Sequence, residues 1–200
     1  KYNGFEYITR TPKVSFWRAM TDNDTGASEP YNLAQWYVAG KFAKYKTVSW
    51  LEQEDALKII FTYQAACVPT FEFTVTYTAH FDGKLGVCIN YVGVSGMPDM
   101  PVLALDFKMK KQLCNFQYYG LGPDENYSDR CEGARLGLWK STAKENLSGY
   151  LNPQECGNRT GVRTLSVHDD MQHGLTFQKA SAPFEMSVLP YSAYELENAM

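Results

Sequence analysis

The strongest constraint on the fold is an alternation of apolar and polar residues in the middle of the chain. Leu57–Gln64 and Phe71–Phe81 place large apolar side chains at every second position, mostly with Thr, Glu or Lys between them. A period of two indicates strands that have one apolar and one polar face. Asp82-Gly83-Lys84 separates the second run from a third, Leu85–Val94, and an Asp-Gly pair in this position predicts a hairpin. The sequence therefore predicts antiparallel sheet with one dry face and one wetter face.

Other parts of the chain predict more strands and few helices. Further strands are expected at Lys46–Leu51, Leu103–Lys110, Gln117–Tyr119, Arg163–Val167, Leu175–Gln178 and Phe184–Leu189. A short helix is predicted around Trp36, and Gly40 is expected to end it in the left-handed conformation. Ser192 and Glu195 have the spacing of a capping box, so another helix is predicted to begin there. Together these elements predict one all-β domain of the sandwich type over residues 1–200.

The composition excludes several classes of partner. A net charge of -3 without a long Lys/Arg run argues against nucleic acid. The sequence has no apolar stretch long enough to span a membrane, so no membrane partner is expected. The five cysteines are widely spaced and form no CxxC pair, which predicts free thiols in a reducing, cytoplasmic compartment. Aromatic residues make up 14% of the chain, which suits both strand cores and surfaces that stack on sugars.

Three polar segments interrupt the strand pattern, and the first is SFWRAMTDNDTG at residues 15–26. Its candidate binding or interface residues are Trp17, Arg18, Asp22, Asn23 and Asp24. The three consecutive polar residues resemble the start of a calcium loop. However, Ala27 and Leu33 occupy the positions at which an EF-hand needs Gly and Glu, so an EF-hand is excluded. The favoured interpretation is that these short side chains bond to backbone amides of their own loop.

The second segment is YYGLGPDENYSDR at residues 118–130, where Glu125, Asn126 and Arg130 are candidates. A catalytic interpretation would pair two of its carboxylates for glycoside hydrolysis, which requires a separation of about 5–9 Å. A structural interpretation makes the segment a rigid corner in which Arg130 pairs with a carboxylate. Spacing in the sequence does not establish the distance, so both interpretations remain open, with the structural one preferred.

The third segment is GYLNPQECGNRTGVRTLSV at residues 149–167, with Glu155, Asn158 and Arg159 as candidates. A buried Arg/Glu/Asn network and a ligand-contacting loop are both compatible with it. The stretch from His168 to His173 has turn composition and is predicted to be an exposed hairpin tip. A metal site formed by its two histidines is a weak alternative, and no metal ligands are predicted.

Taken in order, SFWRAMTDNDTG, YYGLGPDENYSDR and NPQECGNRTGVRTL resemble the small-chain domain of bacterial β-galactosidases of glycoside hydrolase family 2. The resemblance extends from about Thr11 to Met200 and includes FEMSVLPYSAYELENA near the end. It implies an antiparallel β-supersandwich of the galactose-mutarotase-like type with short helices. Relative to that family domain, the chain is expected to be truncated at both ends.

The resemblance also implies that catalysis takes place on a different domain. In the family, the catalytic glutamates and the magnesium ligands lie on a TIM-barrel domain, so this chain is expected to bind no cofactor and to carry no catalytic residue. The family's aromatic wall, a tryptophan in a Gly-Asp-Asp-Ser-Trp stretch, is expected beyond Met200. The implied partner is a catalytic β-galactosidase domain or large subunit, with galactoside contacted only indirectly and a homo-oligomer as a further option.

Three hypotheses follow for the function. The first is a non-catalytic domain that stabilises and assembles a lactose-hydrolysing enzyme, in which Arg130→Ala or Asn158→Ala would damage folding or assembly. The second is a carbohydrate-binding module that acts alone, suggested by the aromatic content. The third is a mutarotase-like epimerase or an independent hydrolase, which would rest on fold analogy because the histidines have no mutarotase motif around them.

Overall fold

The structure is a computed structural model that describes residues 4–199, and it divides into two compact units. The first unit comprises Lys1–Pro12 and Phe107–Met200, and the second comprises Lys13–Asp106. Strands β1 (Ile8–Ser15) and β6 (Ala104–Met109) each run through one of the division points and pair with each other in a two-stranded sheet. The interpretation of residues 1–200 as a single family domain stays a prediction.

The second unit combines short helices with a four-stranded antiparallel sheet. Its elements are α1 (Asp22–Gly26), α2 (Glu29–Asn32), α3 (Ala34–Lys41), β2 (Lys44–Glu52), β3 (Ala56–Gln64), β4 (Glu72–His80) and β5 (Leu85–Tyr91). The strands lie in the order β2-β3-β4-β5, so each pairs with its neighbour in sequence. The predicted hairpin at Asp82-Gly83 is confirmed, because β4 and β5 pair directly across it with Ala79 opposite Leu85.

The core of the second unit lies where the helices meet one end of this sheet. Phe16 and Trp36 are almost completely buried, with their ring centroids 5.6 Å apart. The prediction that Gly40 ends the helix in the left-handed conformation is wrong, since α3 continues to Lys41. Gly40 is small for another reason: a Cβ atom there would lie 2.8 Å from the carbonyl oxygen of Val14, so this position allows close approach of two backbones.

The first unit contains the remaining strands and one helix. They are β7 (Asn115–Gly122), β8 (Arg135–Thr142), β9 (Asn158–Val162), β10 (Thr164–His168), β11 (Gly174–Gln178), β12 (Phe184–Ser187) and α4 (Ala193–Glu197). Four of the strands form an antiparallel sheet in the order β11-β10-β7-β8, and β12 pairs with β9. The buried core residues are Leu113, Phe116, Tyr118, Val162, Leu165, Val167 and Met186.

The predicted all-β class of antiparallel sheets with a few short helices is confirmed. The capping box at the start of α4 is also confirmed, because the Ser192 hydroxyl accepts a hydrogen bond from the Glu195 N–H and the Glu195 carboxylate accepts one from the Ser192 N–H. Strands β1, β8 and β9 were not predicted. Within residues 4–199, no helix is both long enough and apolar enough to cross a lipid bilayer.

Candidate functional site

The second and third polar segments meet in the first unit. After β7 the chain turns at Pro123 and passes through Glu125 to Arg130, and a later stretch, residues 146–160, returns to the same place and leads into β9. We call the side chains of 123–130 and 146–160 the polar corner. Its predicted members Glu125, Asn126, Arg130, Asn158 and Arg159 are all joined by hydrogen bonds within it, and Glu155 is half-buried beside them.

Asn126 lies at the centre of the polar corner and is 2% exposed. Its Nδ2 donates to the carbonyl oxygens of Leu121 and Asp124, both at 3.0 Å. Its Oδ1 accepts from the Thr160 N–H at 3.0 Å and from the Thr160 hydroxyl at 2.6 Å. Its backbone N–H also donates to the carbonyl of Asn158 at 2.9 Å. The side chain of Asn126 therefore bonds to both segments of the polar corner, and its buried nitrogen and oxygen atoms both have hydrogen-bond partners.

Glu125 connects the two segments through its carboxylate. Oε1 accepts from Arg130 Nη2 at 2.7 Å and from the Tyr150 hydroxyl. Oε2 accepts from the Ser148 hydroxyl at 2.7 Å and from the Gly157 N–H at 2.8 Å. Both oxygens thus receive two donors each, which is the environment of an ionised carboxylate.

The electrostatics of Glu125 do not suit a general acid. Burial of the carboxyl raises its pKa, but the hydrogen bonds from Tyr150, Gly157, Ser148 and Arg130 outweigh burial, so the pKa lies below its usual value. A carboxylic acid that donates a proton at neutral pH needs a raised pKa instead. Burial raises the pKa of the neighbouring phenol of Tyr127, and the charges of Glu155 and Glu125 raise it further, so that phenol stays neutral.

Asn158 continues the network from β9 to the next strand pair. Its Nδ2 donates to the Asn126 carbonyl at 3.0 Å and to Glu185 Oε2 at 2.8 Å. Glu185 lies on β12, which pairs with β9. Asn158 therefore joins the turn after β7 to the β9–β12 pair.

Arg159 is the most deeply buried charged residue of the corner candidates, at 6% exposed. Its Nε donates to the Tyr118 hydroxyl at 2.9 Å and to the Pro123 carbonyl at 3.0 Å, while Nη1 donates to the carbonyl of Asn158 at 3.0 Å. The guanidinium thus holds the turn at Pro123 against β9. The structure gives Arg159 a role inside the fold, because its contacts are with the protein's own oxygen atoms.

Arg130 differs from the other members because its side chain is 58% exposed. Its ion pair with Glu125 is therefore open to water, and exposed ion pairs contribute about 0–1 kcal/mol. Its guanidinium also lies 5.1 Å from the ring centroid of Tyr127. Of the two substitutions considered from the sequence, Asn158→Ala is thus expected to be the more damaging.

Glu125→Gln is expected to lower the free energy of unfolding by about 1–3 kcal/mol at pH 7, because it leaves several donors with a weaker acceptor. The effect should depend on pH. The folded-state pKa of Glu125 is lowered, so the stabilisation is present above the unfolded-state pKa, near about 4.3, and is lost as pH falls through the folded-state pKa. Urea unfolding of wild type and variant between neutral and acidic pH measures this.

Glu132→Gln is the matched control, because Glu132 is exposed in the same part of the chain. It should unfold like the wild type at each pH. If the difference in free energy of unfolding between the wild type and Glu125→Gln stays constant as pH falls below 4, the hydrogen-bond donors do not keep Glu125 ionised. The description of the polar corner would then be wrong.

The first polar segment forms a separate cluster in the second unit. Arg18 and Asp24 make a two-point ion pair, with Nη1–Oδ2 at 2.6 Å and Nη2–Oδ1 at 3.0 Å. Thr21 caps α1 through a capping box with Asp24, which the sequence analysis missed. Burial raises the pKa of Asp24, but hydrogen bonds from Arg18 and Thr21 outweigh it and lower the pKa to about 2. Asp22–Gly26 thus form α1 instead of the predicted loop. The Asp24 carboxylate does accept from a nearby backbone N–H, that of Thr21, as expected for these short side chains.

The other candidates of this segment do not gather into a site. Trp17 is 2% exposed and packs edge-on against Tyr37, with centroids 5.3 Å apart. Asp22 and Asn23 lie exposed in the first turn of α1. A sugar-stacking role for Trp17 would require an accessible ring face, and its burial does not provide one.

Several side chains that were not candidates in the sequence take part in this network. Asn146, Ser148, Tyr150 and Thr160 belong to the polar corner, and Tyr118 and Glu185 bond to it from outside. Asn146, for example, is 4% exposed and donates to the carbonyls of Gly157 and Val188 at 2.9 and 3.0 Å. Tyr118, Tyr150 and Thr160 lie within the polar segments named above. Their roles, however, depend on partners far along the chain, which no local pattern indicates.

The described residues offer no fit to a divalent metal. No group of three or more His, Cys, Asp or Glu side chains suited to a metal occurs in residues 4–199. The stretch from His168 to His173 forms the β10–β11 turn as predicted, but its description as exposed is wrong for Asp169, which is 4% exposed. Its Oδ1 accepts from the N–H groups of Met171 and His173, both at 2.9 Å, so it shapes the turn.

A family model and individual known proteins both relate this chain to β-galactosidases. The sequence model of the family described as Beta galactosidase small chain matches residues 1–200. The chain belongs to this family. It is 39% identical over 199 residues to a β-galactosidase of Streptococcus thermophilus and 40% identical over 199 residues to one of Lactobacillus delbrueckii subsp. bulgaricus. Each alignment covers 100% of this chain.

The relatives differ in how much of their length the family segment represents. This chain covers 19% of the Streptococcus thermophilus protein and 20% of the Lactobacillus delbrueckii subsp. bulgaricus protein. It also matches a β-galactosidase small subunit of Latilactobacillus sakei, at 32% identity over 229 residues, and covers 71% of that subunit. The chain thus spans about a fifth of the long curated relatives and corresponds more closely in size to a separate small subunit.

Proposed function

We propose that this chain is a non-catalytic structural and assembly domain of a β-galactosidase that hydrolyses terminal β-D-galactosides such as lactose. The catalytic glutamates and the magnesium ligands belong, in this proposal, to a catalytic domain or large subunit outside residues 1–200. The contribution of the chain is a rigid, folded surface against which that catalytic part is built.

The proposal is supported by the side chains of the polar corner, whose hydrogen bonds are made to other parts of the same chain. Glu125, its strongest candidate for acid–base chemistry, receives four donors and has a lowered pKa. Asn126 and Arg159 are buried and bonded to backbone carbonyls or to neighbouring side chains. Side chains that are fully engaged in holding two segments together are typical of a structural role, and the family membership supplies the enzyme class.

A mixing experiment tests this role. Hydrolysis of a nitrophenyl β-galactoside is measured for the matching catalytic portion alone, for this chain alone, and for the two combined. We expect hydrolysis to appear or to rise strongly only in the mixture, because the catalytic part needs the chain to assemble. Adding the chain carrying Asn158→Ala is expected to restore less activity at equal concentration, since that variant weakens the join between the turn after β7 and the β9–β12 pair.

Two outcomes would contradict the proposal. Hydrolysis by the chain alone would assign chemistry to its own carboxylates. Full activity of the catalytic portion without the chain would remove the assembly role. A matched control is the chain carrying Asn32→Ala, at an exposed residue of α2 that is not an interface candidate and that should restore activity as well as the wild type does.

A stand-alone carbohydrate-binding module is the second candidate, favoured by one observation. Trp50 is 69% exposed on a sheet face that is rich in other aromatic rings, and exposed tryptophan faces stack on sugars. Titration of galactose or lactose against tryptophan fluorescence distinguishes this candidate. The assembly proposal expects no response into the millimolar range.

A further inference from the structure

The four-stranded sheet of the second unit has one face that is almost entirely apolar. Residues opposite one another in an antiparallel pair share a face, so the strand register defines the set. The apolar face consists of Tyr45, Val48, Trp50, Glu52, Leu57, Ile59, Phe61, Tyr63, Phe73, Val75, Tyr77, Ala79, Leu85, Val87, Ile89 and Tyr91. All sixteen lie in the described part of the chain, and Glu52 is the only charged residue among them.

One end of this face is covered by the unit itself. Phe73 and Val75 are each 3% exposed. The ring of Phe16 lies 5.2 Å from Phe73 and 6.1 Å from Tyr91, measured between centroids. Trp36, on α3, packs edge-on against Tyr91 at 6.2 Å. The helices therefore bury this end of the sheet around β4, while Tyr45, at the β2 edge of the same row, is 56% exposed.

The other end of the same face is open. Trp50, Leu85 and Val87 are 69%, 60% and 42% exposed. Trp50 and Val87 belong to one row that crosses all four strands, Trp50–Ile59–Tyr77–Val87. Trp50 and Val87 lie on the two edge strands of this row, and the half-buried side chains of Ile59 and Tyr77 between them make the apolar surface continuous. Soluble proteins rarely leave such contiguous apolar surface without a partner.

The opposite face of the sheet is mostly polar, although Leu51 and Ile60 also lie on it. Threonines recur there along β4, at Thr74, Thr76 and Thr78. The prediction of one dry and one wetter face is therefore right about which residues share a face, and wrong about dryness, because only one end of the apolar face is dry.

We propose that the open end of the apolar face is the surface on which the remainder of the parent β-galactosidase packs. This inference rests on the proposed function. It is supported by the length of the relatives: the whole of this chain covers only 19–20% of two long β-galactosidases, so most of such an enzyme lies outside it. Trp50 would be the anchor of the contact, because large buried aromatic side chains dominate the energetics of interfaces.

The chemistry of the open end favours an apolar protein surface over a sugar. A galactoside presents many hydroxyl groups, and sites that bind such ligands place several polar groups around the aromatic ring. The row around Trp50 consists of Ile59, Tyr77 and Val87, with a single phenol as its polar group. An occupant that brings mainly apolar side chains fits this row, with the exposed carboxylate of Glu52 in the adjacent row at the edge of the contact.

Hydroxyl-radical footprinting of the intact enzyme tests the inference. The oxidation rate of Trp50 is compared with its own rate in the urea-unfolded enzyme, and Trp36, which is 1% exposed, serves as the buried reference. We expect Trp50 to lose most of its reactivity in the intact enzyme and to fall to the level of Trp36. A rate for Trp50 close to that of the unfolded enzyme overturns the proposal.

A pair of variants gives a second readout. Trp50→Lys places a charge on the apolar face, while Ser49→Lys places the same charge at the adjacent position on the opposite face. In the intact enzyme, Trp50→Lys is expected to shorten the half-life of activity at raised temperature about tenfold, as for the loss of an interface anchor, and Ser49→Lys to leave it unchanged. Equal half-lives for the two variants contradict the inference. Footprinting of the wild type decides the matter if Trp50→Lys does not fold.

The remaining occupants are excluded by two additions to the footprinting. If Trp50 becomes reactive when the enzyme is diluted, a second copy of the protein covers the apolar face. If the reactivity of Trp50 changes with added galactose or lactose, the face binds sugar. Either result overturns the proposal. The proposed function fails separately, when the catalytic portion is fully active without this chain. A chain required for activity whose Trp50 stays reactive would sustain the proposed function and refute this docking surface.

Discussion

Asn126→Ala is expected to lower the free energy of unfolding of this chain by about 3 kcal/mol or more, because each buried polar group left unpaired costs about 1–3 kcal/mol. The substitution removes an amide that is 2% exposed and leaves the Thr160 N–H and the carbonyls of Leu121 and Asp124 without their partner. Urea unfolding followed by circular dichroism measures the change, with soluble yield as a second indicator.

Asn23→Ala is the matched control for this loss, since it makes the same chemical change at an exposed position of α1. Surface substitutions of this kind change stability by about 0.5 kcal/mol or less. If both variants unfold at the same urea concentration, the hydrogen bonds of Asn126 do not hold the polar corner together and its description as a structural centre is wrong.

Gly157→Ala is expected to be as damaging, for two independent reasons. The residue has φ of 71°, a conformation that side chains with a Cβ atom rarely adopt. A Cβ atom there would also lie 2.7 Å from Asn146 Nδ2 and from the Asn146 carbonyl oxygen. Backbone strain and overpacking each cost about 1–3 kcal/mol, so a loss of about 2–6 kcal/mol follows. It is measured by the same unfolding experiment.

Gly149→Ala is the control for this substitution, because Gly149 lies in the same loop and a Cβ atom there would meet nothing within 4 Å. Its unfolding should match the wild type closely. A stable Gly157→Ala protein would show that residues 146–157 can rearrange without cost, and the contact between Gly157 and Glu125 would then carry no weight in the fold.

The strands that the sequence predicted are those whose apolar residues lie on one side. In β4 and β5 the large side chains fall at every second position, and the pairing of Ala79 with Leu85 follows from the short turn at residues 81–84 between the two strands. Strand β8 was missed because it is apolar on both faces: Leu138 is exposed while Trp139 packs on the core, so no alternation is visible. The short strand β9 was missed because its polar residues are buried by partners elsewhere.

The polar corner was predicted only in part. The sequence placed Glu125, Asn126 and Asn158 in polar segments behind stiff turns, and all three belong to the network. Their partners could not be read from it, since Ser148 lies 23 positions from Glu125 and Thr160 lies 34 positions from Asn126. From the sequence, Arg130 and Asn158 are expected to be equally important for folding. Their burial distinguishes them, since the Arg130 side chain is 58% exposed and Asn158 is 8% exposed.

Four features could be predicted from the sequence: the family, the all-β class, the hairpin at Asp82-Gly83 and the faces on which the strand residues lie. These features follow from backbone geometry, because alternation, turns and caps depend on residues only a few positions apart. Only the folded structure shows that the carboxylate of Glu125 accepts hydrogen bonds from two segments. It also shows that the apolar face is buried around Phe73 and exposed around Trp50. Such outcomes depend on which distant parts of the chain meet, and no local pattern records that.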